Sequence, residues 1–300
     1  MRVAVLGSSG LLGSFCEFAF EHWFDWEVTT LSRSRSEQSP RHTAFRSLHE
    51  AAEIILQGRF DAVVNCVAMA SHEGCEVDSR AAFEINSAFP EKIAKACVDS
   101  GARLVHISTD AVFDGPHERP FSEDDAPRPE SVYGLSKLEG ERLVAAANPD
   151  AIILRTNFFS WSRSGRHGVL DFFYSALRNE EAVDSFTDYL TSSLYVGELV
   201  EAIRDLLKVE YSGLIHAVSS QAISKFEFGR SVAQVFSFSP SLVKPSTLSS
   251  QNFLAHRAPD LALSPQKLEK LLGRKAPSSV EGLERAKENM QDYWAFLGRS

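Results

Sequence analysis

Two rhythms of apolar and polar residues alternate along this chain. Short apolar runs at Arg2 to Leu6, Glu27 to Leu31, Ala62 to Val67, Arg103 to Ser108, Ala151 to Arg155 and Leu214 to Val218 have the length and β-branched content of buried strands. Between them, apolar residues recur at helical spacing, which predicts helices near Gly10 to His22, Leu48 to Leu56, Arg80 to Asp99, Val132 to Ala146 and Gly197 to Leu207. Regular alternation of strand and helix predicts an α/β fold, a Rossmann-type doubly wound parallel sheet. After Ser219 the rhythm changes to serine- and proline-rich loops around Ser237 to Ser250, followed by short helices.

The first strand runs directly into Gly7, Gly10 and Gly13, and the helix that follows carries Leu11, Leu12, Phe15 and Ala19 as an apolar stripe. Glycines at a strand-to-helix turn let the backbone approach a pyrophosphate, and the helix N-terminus offers free N–H groups and a positive dipole end. This is the context a dinucleotide-binding turn requires, so a bare structural turn is the weaker reading. At the end of the second strand, Ser32 stands near the position where an acidic residue would bind the ribose hydroxyls of NAD. Arg33 and Arg35 follow, which suits a 2′-phosphate and favours NADPH. NADH stays open if the strand ends one residue away, as does a reading of both arginines as solvated.

A second block, HISTDAVFDG from His106 to Gly115, places Ser108, Thr109 and Asp110 where a buried strand ends, the edge at which open α/β sheets bind ligands. It is followed by SVYGLSKLEGE from Ser131 to Glu141, in which Tyr133 and Lys137 lie one helical turn apart on one face. An ammonium near a phenol favours the phenolate and lowers its pKa, which would make Tyr133 a usable proton donor. For Thr109 and Asp110 the competing reading is a cap or turn residue at a strand end. His106 sits inside a strand pattern and is expected to be a packed core histidine.

With GSSGLLG, STDAVFDG and YGLSKLEGE in place, the chain resembles the extended short-chain dehydrogenase/reductases, most closely the dTDP-4-dehydrorhamnose reductase group. Looser matches at Phe60 to Ala68, Cys75 to Asn86, Ile153 to Phe159 and Leu263 to Gly273 extend the resemblance over nearly the whole chain. It implies a dinucleotide-binding domain over 1–156, with 193–218 returning to it, and a smaller substrate-binding lobe built from 157–192 and 219–300. It also implies that Gly10, Leu11 and Leu12 lie along the pyrophosphate, that Cys66, Val67 and Ala68 lie beside the cofactor, and that Phe45 flanks the adenine. By the same resemblance, hydride goes to a carbonyl carbon while Tyr133 protonates the developing alkoxide. Lys137 tunes Tyr133 and holds the nicotinamide ribose, Thr109 orients the carbonyl oxygen, and Asp110 contacts substrate or fixes its loop.

Two departures bear on the substrate. The group typically carries a tryptophan soon after the LRT strand, where this chain has Asn157, Phe158 and Phe159, and a later proline-threonine pair is replaced by YLTSSLYV. Phe158 is a candidate to stack on a sugar or base, with core packing as the alternative. Arg166, with Arg163 and His167 in the same loop, is a candidate diphosphate contact, with a solvated loop as the alternative. The expected activity is reduction of a 4-keto-6-deoxy nucleotide sugar. Reduction of another keto substrate stays open, as does a non-catalytic NADP-binding role like that of the regulatory subunit of methionine adenosyltransferase, a neighbouring branch.

Composition narrows the classes further. A chain of 300 residues that is 44% hydrophobic can bury a large core. A net charge of -9 with a pI near 5.5 argues against binding a nucleic-acid backbone. No run of about eighteen apolar residues suggests a membrane span, and the chain starts in a strand, so a cytoplasmic protein is expected. Cys16, Cys66, Cys75 and Cys97 form no CxxC pair, which suits reduced thiols. His72 and Cys75 lack a second ligand pair and are expected to be loop residues rather than metal ligands. The partner is then a small molecule, with a homodimer left open.

Overall fold

The computed structural model describes residues 1–33, 41–115 and 117–299. The first elements are β1 (Arg2–Leu6), α1 (Leu11–His22), β2 (Glu27–Ser32), β3 (His42–Ala44), α2 (Leu48–Gln57) and β4 (Ala62–Asn65). They continue with α3 (His72–Val77), α4 (Ser79–Phe83), a π-helical turn Glu84–Ala88, α5 (Phe89–Ser100), β5 (Arg103–Thr109), α6 (Val132–Ala147) and β6 (Ile152–Thr156). Together with the strand Gly213–His216 they form a seven-stranded parallel sheet in the order Gly213–His216, β6, β5, β4, β1, β2, β3. The order reverses at β1 and β4, so the glycine turn after β1 and the segment after β4 share the carboxyl edge of the sheet, the position that binds ligands in such folds.

The expected strands and helices are present, with three informative differences. β3 is short and half exposed, and three residues carry too little periodicity to be read as a strand. The expected helix from Arg80 to Asp99 is interrupted by the π turn, which no local residue pattern announces. His72 and Cys75 lie on α3 rather than in a loop, because Ser71 caps it by accepting the Gly74 N–H at 3.0 Å.

The chain divides into two compact units: residues 1–112, 129–155 and 200–215, and residues 113–128, 156–199 and 216–300. Residues 113–128 thus group with the second unit although the sheet residues flank them in sequence. In the first unit the core packs Ala4, Leu6, Leu31 and Val63 of the strands against Ile55, Phe89, Ile93 and Cys97 of the helices. Beneath α6, Arg155 of β6 reaches Glu141 through Nε at 2.9 Å and Nη2 at 2.7 Å, and Ser108 of β5 donates to the same carboxylate. The pair is almost wholly buried, so each charge depends on the other, and the contact holds α6 in register on the sheet.

The second unit has short paired strands, Phe158–Phe159 with Leu194–Tyr195, Val183–Phe186 with Val243–Ser246, and Leu190–Thr191 between Ile223–Ser224 and Asp260–Leu261. Trp161 is its buried centre, with Tyr174, Phe236 and Trp294 edge-on around it and its indole N–H donating to the Ala286 carbonyl at 2.9 Å. Helices Lys225–Val235 and Ser279–Glu288 each start with a capping box, Ser224 with Glu227 and Ser278 with Glu281.

The glycine turn sets a sharp steric constraint. Gly7 has φ 83, a conformation that disfavours a side chain, and a Cβ on Gly13 would meet the Gly7 carbonyl and the Ser8 Cα. Gly13→Ala is therefore expected to destabilise the protein by about 1–3 kcal/mol, read as a lower urea midpoint.

Candidate functional site

The carboxyl edge of the sheet brings most of the expected residues together. After β1, the Gly7 N–H donates to Leu31 O at 2.8 Å and the Gly10 N–H returns to Gly7 O at 2.9 Å, closing the turn. No side chain caps the N-terminus of α1 at Gly10, so Leu11 and Leu12 begin a helix whose positive end is available to an anion. Behind it, Gly7 lies against the backbone of Cys66 and Val67, and a Cβ there would come within 3.0 Å of the Cys66 carbonyl carbon. Cys66 and Val67 are half-buried and Ala68 is exposed, with the Val67 N–H held by the Asn65 side chain at 3.2 Å.

At the neighbouring strand end Ser32 is buried and Arg33 is exposed, while Arg35 lies outside the described residues. His42 of β3, which drew no attention as a sequence feature, meets Thr30 Oγ1 at 3.0 Å and Ser32 Oγ at 3.5 Å. Phe45 is a correction to the expected adenine contact. It is buried in the core and stacks on Phe89, because the chain turns inward after β3.

The second constellation lies at the end of β5. Thr109 ends the strand, and Asp110 opens a 3-10 turn, Asp110–Val112. Thr109 donates to Asp110 Oδ1 at 3.0 Å and accepts the Ala111 N–H at 3.2 Å, and its hydroxyl is near enough to the Tyr133 phenol to act on its pKa. Ser131 caps α6 by accepting the Gly134 N–H at 3.1 Å, which places Tyr133 in its first turn and Lys137 one turn later. The Lys137 Nζ is buried and donates to the Ile107 carbonyl at 2.7 Å. Thr109, Asp110, Tyr133 and Lys137 thus lie on β5, the 3-10 turn after it and α6, all in one unit.

Electrostatics correct one expectation. Burial pushes the Tyr133 phenol up to about 12; the neighbouring Thr109 hydroxyl opposes this, and the Asp110 charge adds to it. Desolvation therefore outweighs any help from the lysine. Lys137 is pushed down to about 8 by its own burial, against the opposing pull of Glu141 and Cys66. His106 is fully buried, contacts Asn65 at 3.3 Å, and is held well below its ordinary pKa by burial and then by the Lys137 charge.

Three further residues come into this site through tertiary packing. Asn86, in the π turn, exchanges hydrogen bonds with the Met69 backbone at 2.8 and 3.1 Å and donates to Ser136 Oγ at 3.0 Å. Glu76 of α3 accepts the Val132 N–H at 2.8 Å, and the His72 ring lies against Tyr133. None had a local signal: Asn86 belongs to a recognised motif, yet its partners are distant in sequence. Phe158 and Arg166 belong to the second unit, Phe158 half-buried in a strand and Arg166 exposed in its loop with its N–H on Ser164.

Residues 1–292 match the family model described as RmlD substrate binding domain. The chain is 29% identical over 298 residues, 98% of its length and 99% of the relative's, to the probable low-salt glycan biosynthesis reductase Agl14 of Haloferax volcanii. It is 36% identical over 204 residues, 65% of each chain, to the dTDP-4-dehydrorhamnose reductase of Mycobacterium tuberculosis. Its fold is similar to that of the dTDP-4-dehydrorhamnose reductase from Bacillus anthracis solved in complex with NADP, with a TM-score of 0.86 at 23% identity over 96% of this chain and 99% of that one. On the strength of a match that spans nearly all of its length, the chain belongs to the RmlD substrate binding domain family, within the extended short-chain dehydrogenase/reductases its motifs resemble.

Proposed function

We propose that this protein is an NADPH-dependent reductase of a 4-keto-6-deoxy nucleotide sugar, of the dTDP-4-dehydrorhamnose kind. The observation that carries the reading is the Tyr133 phenol set beside Thr109 at the carboxyl end of β5, with Lys137 on the next turn of α6. Relatives named as reductases of such sugars support the substrate class, and a structural neighbour solved with NADP supports the cofactor.

The residues present fit a dinucleotide. The uncapped start of α1 at Gly10, Leu11 and Leu12 suits the pyrophosphate, and a side chain at Gly7 would fill the cradle formed with Cys66. Ser32 introduces no carboxylate at the end of β2, and the exposed Arg33 is available to a 2′-phosphate. When bound, a reduced nicotinamide supplies hydride to the substrate carbonyl carbon.

Tyr133 supplies the proton. A phenol held at about 12 keeps its proton at neutral pH, yet an alkoxide is a far stronger base, so transfer from the Tyr133 Oη to the developing oxyanion runs downhill. The Thr109 hydroxyl gives its one proton to Asp110 in the free protein and would orient a carbonyl oxygen by turning that proton to it when substrate binds. Lys137 brings positive charge to the same pocket, and Glu141 helps to keep it protonated. Phe158 and Arg166 are assigned to the sugar nucleotide, as a stacking face and a diphosphate contact.

NADPH oxidation at 340 nm with a panel of 4-keto-6-deoxy nucleotide sugars tests the reading. Tyr133→Phe should lower kcat by about 10²–10⁴-fold with NADPH binding retained, and turnover unchanged in that variant would remove Tyr133 as donor. Arg33→Ala should weaken NADPH binding while leaving NADH binding nearly unaltered, measured by cofactor titration. Lys137 gives a stability signature. Its folded pKa, about 8, lies below an unfolded value of about 10.4, so the cost of its buried charge is fully present below the folded value and fades as pH rises toward the unfolded one. Lys137→Met should accordingly raise the thermal midpoint of the free protein at pH 7, by less at pH 10, while turnover is lost.

A further inference from the structure

Helix α3 packs one face against the start of α6. His72 and Glu76 are four residues apart, so their side chains leave α3 on the same side. Glu76 accepts the Val132 N–H at 2.8 Å, the backbone donor immediately before Tyr133. An acidic group at a helix N-terminus is also favoured by the helix dipole. The His72 ring lies on the Tyr133 ring, with centroids 4.5 Å apart and planes tilted by 40°. One short helix thus grips both the backbone entering Tyr133 and the face of its side chain.

α3 is itself held firmly. Ser71 caps it, the Cys75 thiol beneath it donates to the Met69 carbonyl at 3.2 Å, and Met69 is tied through its N–H and carbonyl to Asn86. Asn86 in turn binds Ser136, on the turn of α6 that follows Tyr133. A closed circuit therefore runs from α6 through Asn86, Met69 and α3 and back to α6 at Val132 and Tyr133. His72 is the member of that circuit whose ring lies on the tyrosine ring.

We propose that His72 is a positioning residue for Tyr133: its imidazole forms a wall against one face of the phenol and keeps the Oη at the end of β5 beside Thr109, where a carbonyl oxygen would be protonated. This rests on the reductase reading of the same site. The physical need is plain. A tyrosine side chain has two rotatable bonds, and a neighbouring hydroxyl at its tip leaves the ring free to swing. A flat ring packed on one face removes that freedom, and proton transfer is sensitive to misplacement of this kind. The contact requires shape rather than a proton, so another planar side chain should serve.

The test has two arms. In the first, His72→Ala lowers kcat for the keto sugar by about three- to tenfold, the rate equivalent of losing one aromatic pair, with KM and NADPH affinity held within about twofold. His72→Phe restores kcat, and in a Tyr133→Phe background His72→Ala has no further effect, because the residue acts only through the tyrosine. The second arm needs no substrate. With 3-fluorotyrosine incorporated, the Tyr133 fluorine resonance, assigned by its loss in Tyr133→Phe, shifts or broadens in His72→Ala and returns toward its native position in His72→Phe. Absence of turnover by the native protein would count against the reductase reading and leave the resonance to decide the role of His72. An unmoved resonance in His72→Ala, a failure of His72→Phe to restore it, or an equal loss in the Tyr133→Phe background would overturn the proposal.

Discussion

Everything at the end of β5 depends on how α6 is seated. Glu141 is buried beneath that helix and is bound at once by Arg155 of β6 and Ser108 of β5. A carboxylate in such a place is tolerated only with its partners in position, so the helix has one register in which the charge is satisfied and no cheap alternative. One turn before it, Lys137 donates to the backbone of the same strand at Ile107. Tyr133 follows from these two anchors, another turn toward the N-terminus, beside Thr109.

The same burial that seats the helix shapes its chemistry. Removal from water raises the phenol and lowers the amine, so each group is biased toward its neutral form. Glu141 works against that bias at Lys137, so the carboxylate that anchors α6 also favours its cation. Tyr133 keeps its proton until a stronger base arrives. The result is a phenol that stays protonated at neutral pH, as the proposed donor role requires.

Around this pair the sheet edge supplies two further requirements. Reversal of strand order between β1 and β4 sets the glycine turn against the Cys66 segment, which leaves an open helix N-terminus for an anion in a protein of net negative charge. The π turn at Glu84–Ala88 places Asn86 between Met69 and Ser136, linking the segment after β4 to α6. The second unit is built differently, from short strands and capped helices around Trp161.

Much of this was readable along the chain because it is encoded locally. Apolar periodicity marks the strands and helices, Gly7, Gly10 and Gly13 mark a turn that side chains would block, and the spacing of Tyr133 and Lys137 places them on one face of any helix that contains them. The short β3, the π turn and the inward path of Phe45 were not readable, since each follows from what the segment packs against rather than from its own residues. The pKa of Tyr133 belongs with them: spacing brings a lysine one turn away, but only the packed structure reveals that burial dominates the phenol. His72, Glu76 and Asn86 show the same division, for their partners lie about fifty to sixty residues further along the chain. Short-range pattern determines which elements form and which faces they offer, whereas desolvation and long-range contact, which exist only once the chain has closed on itself, decide which side chains meet and in what charge state.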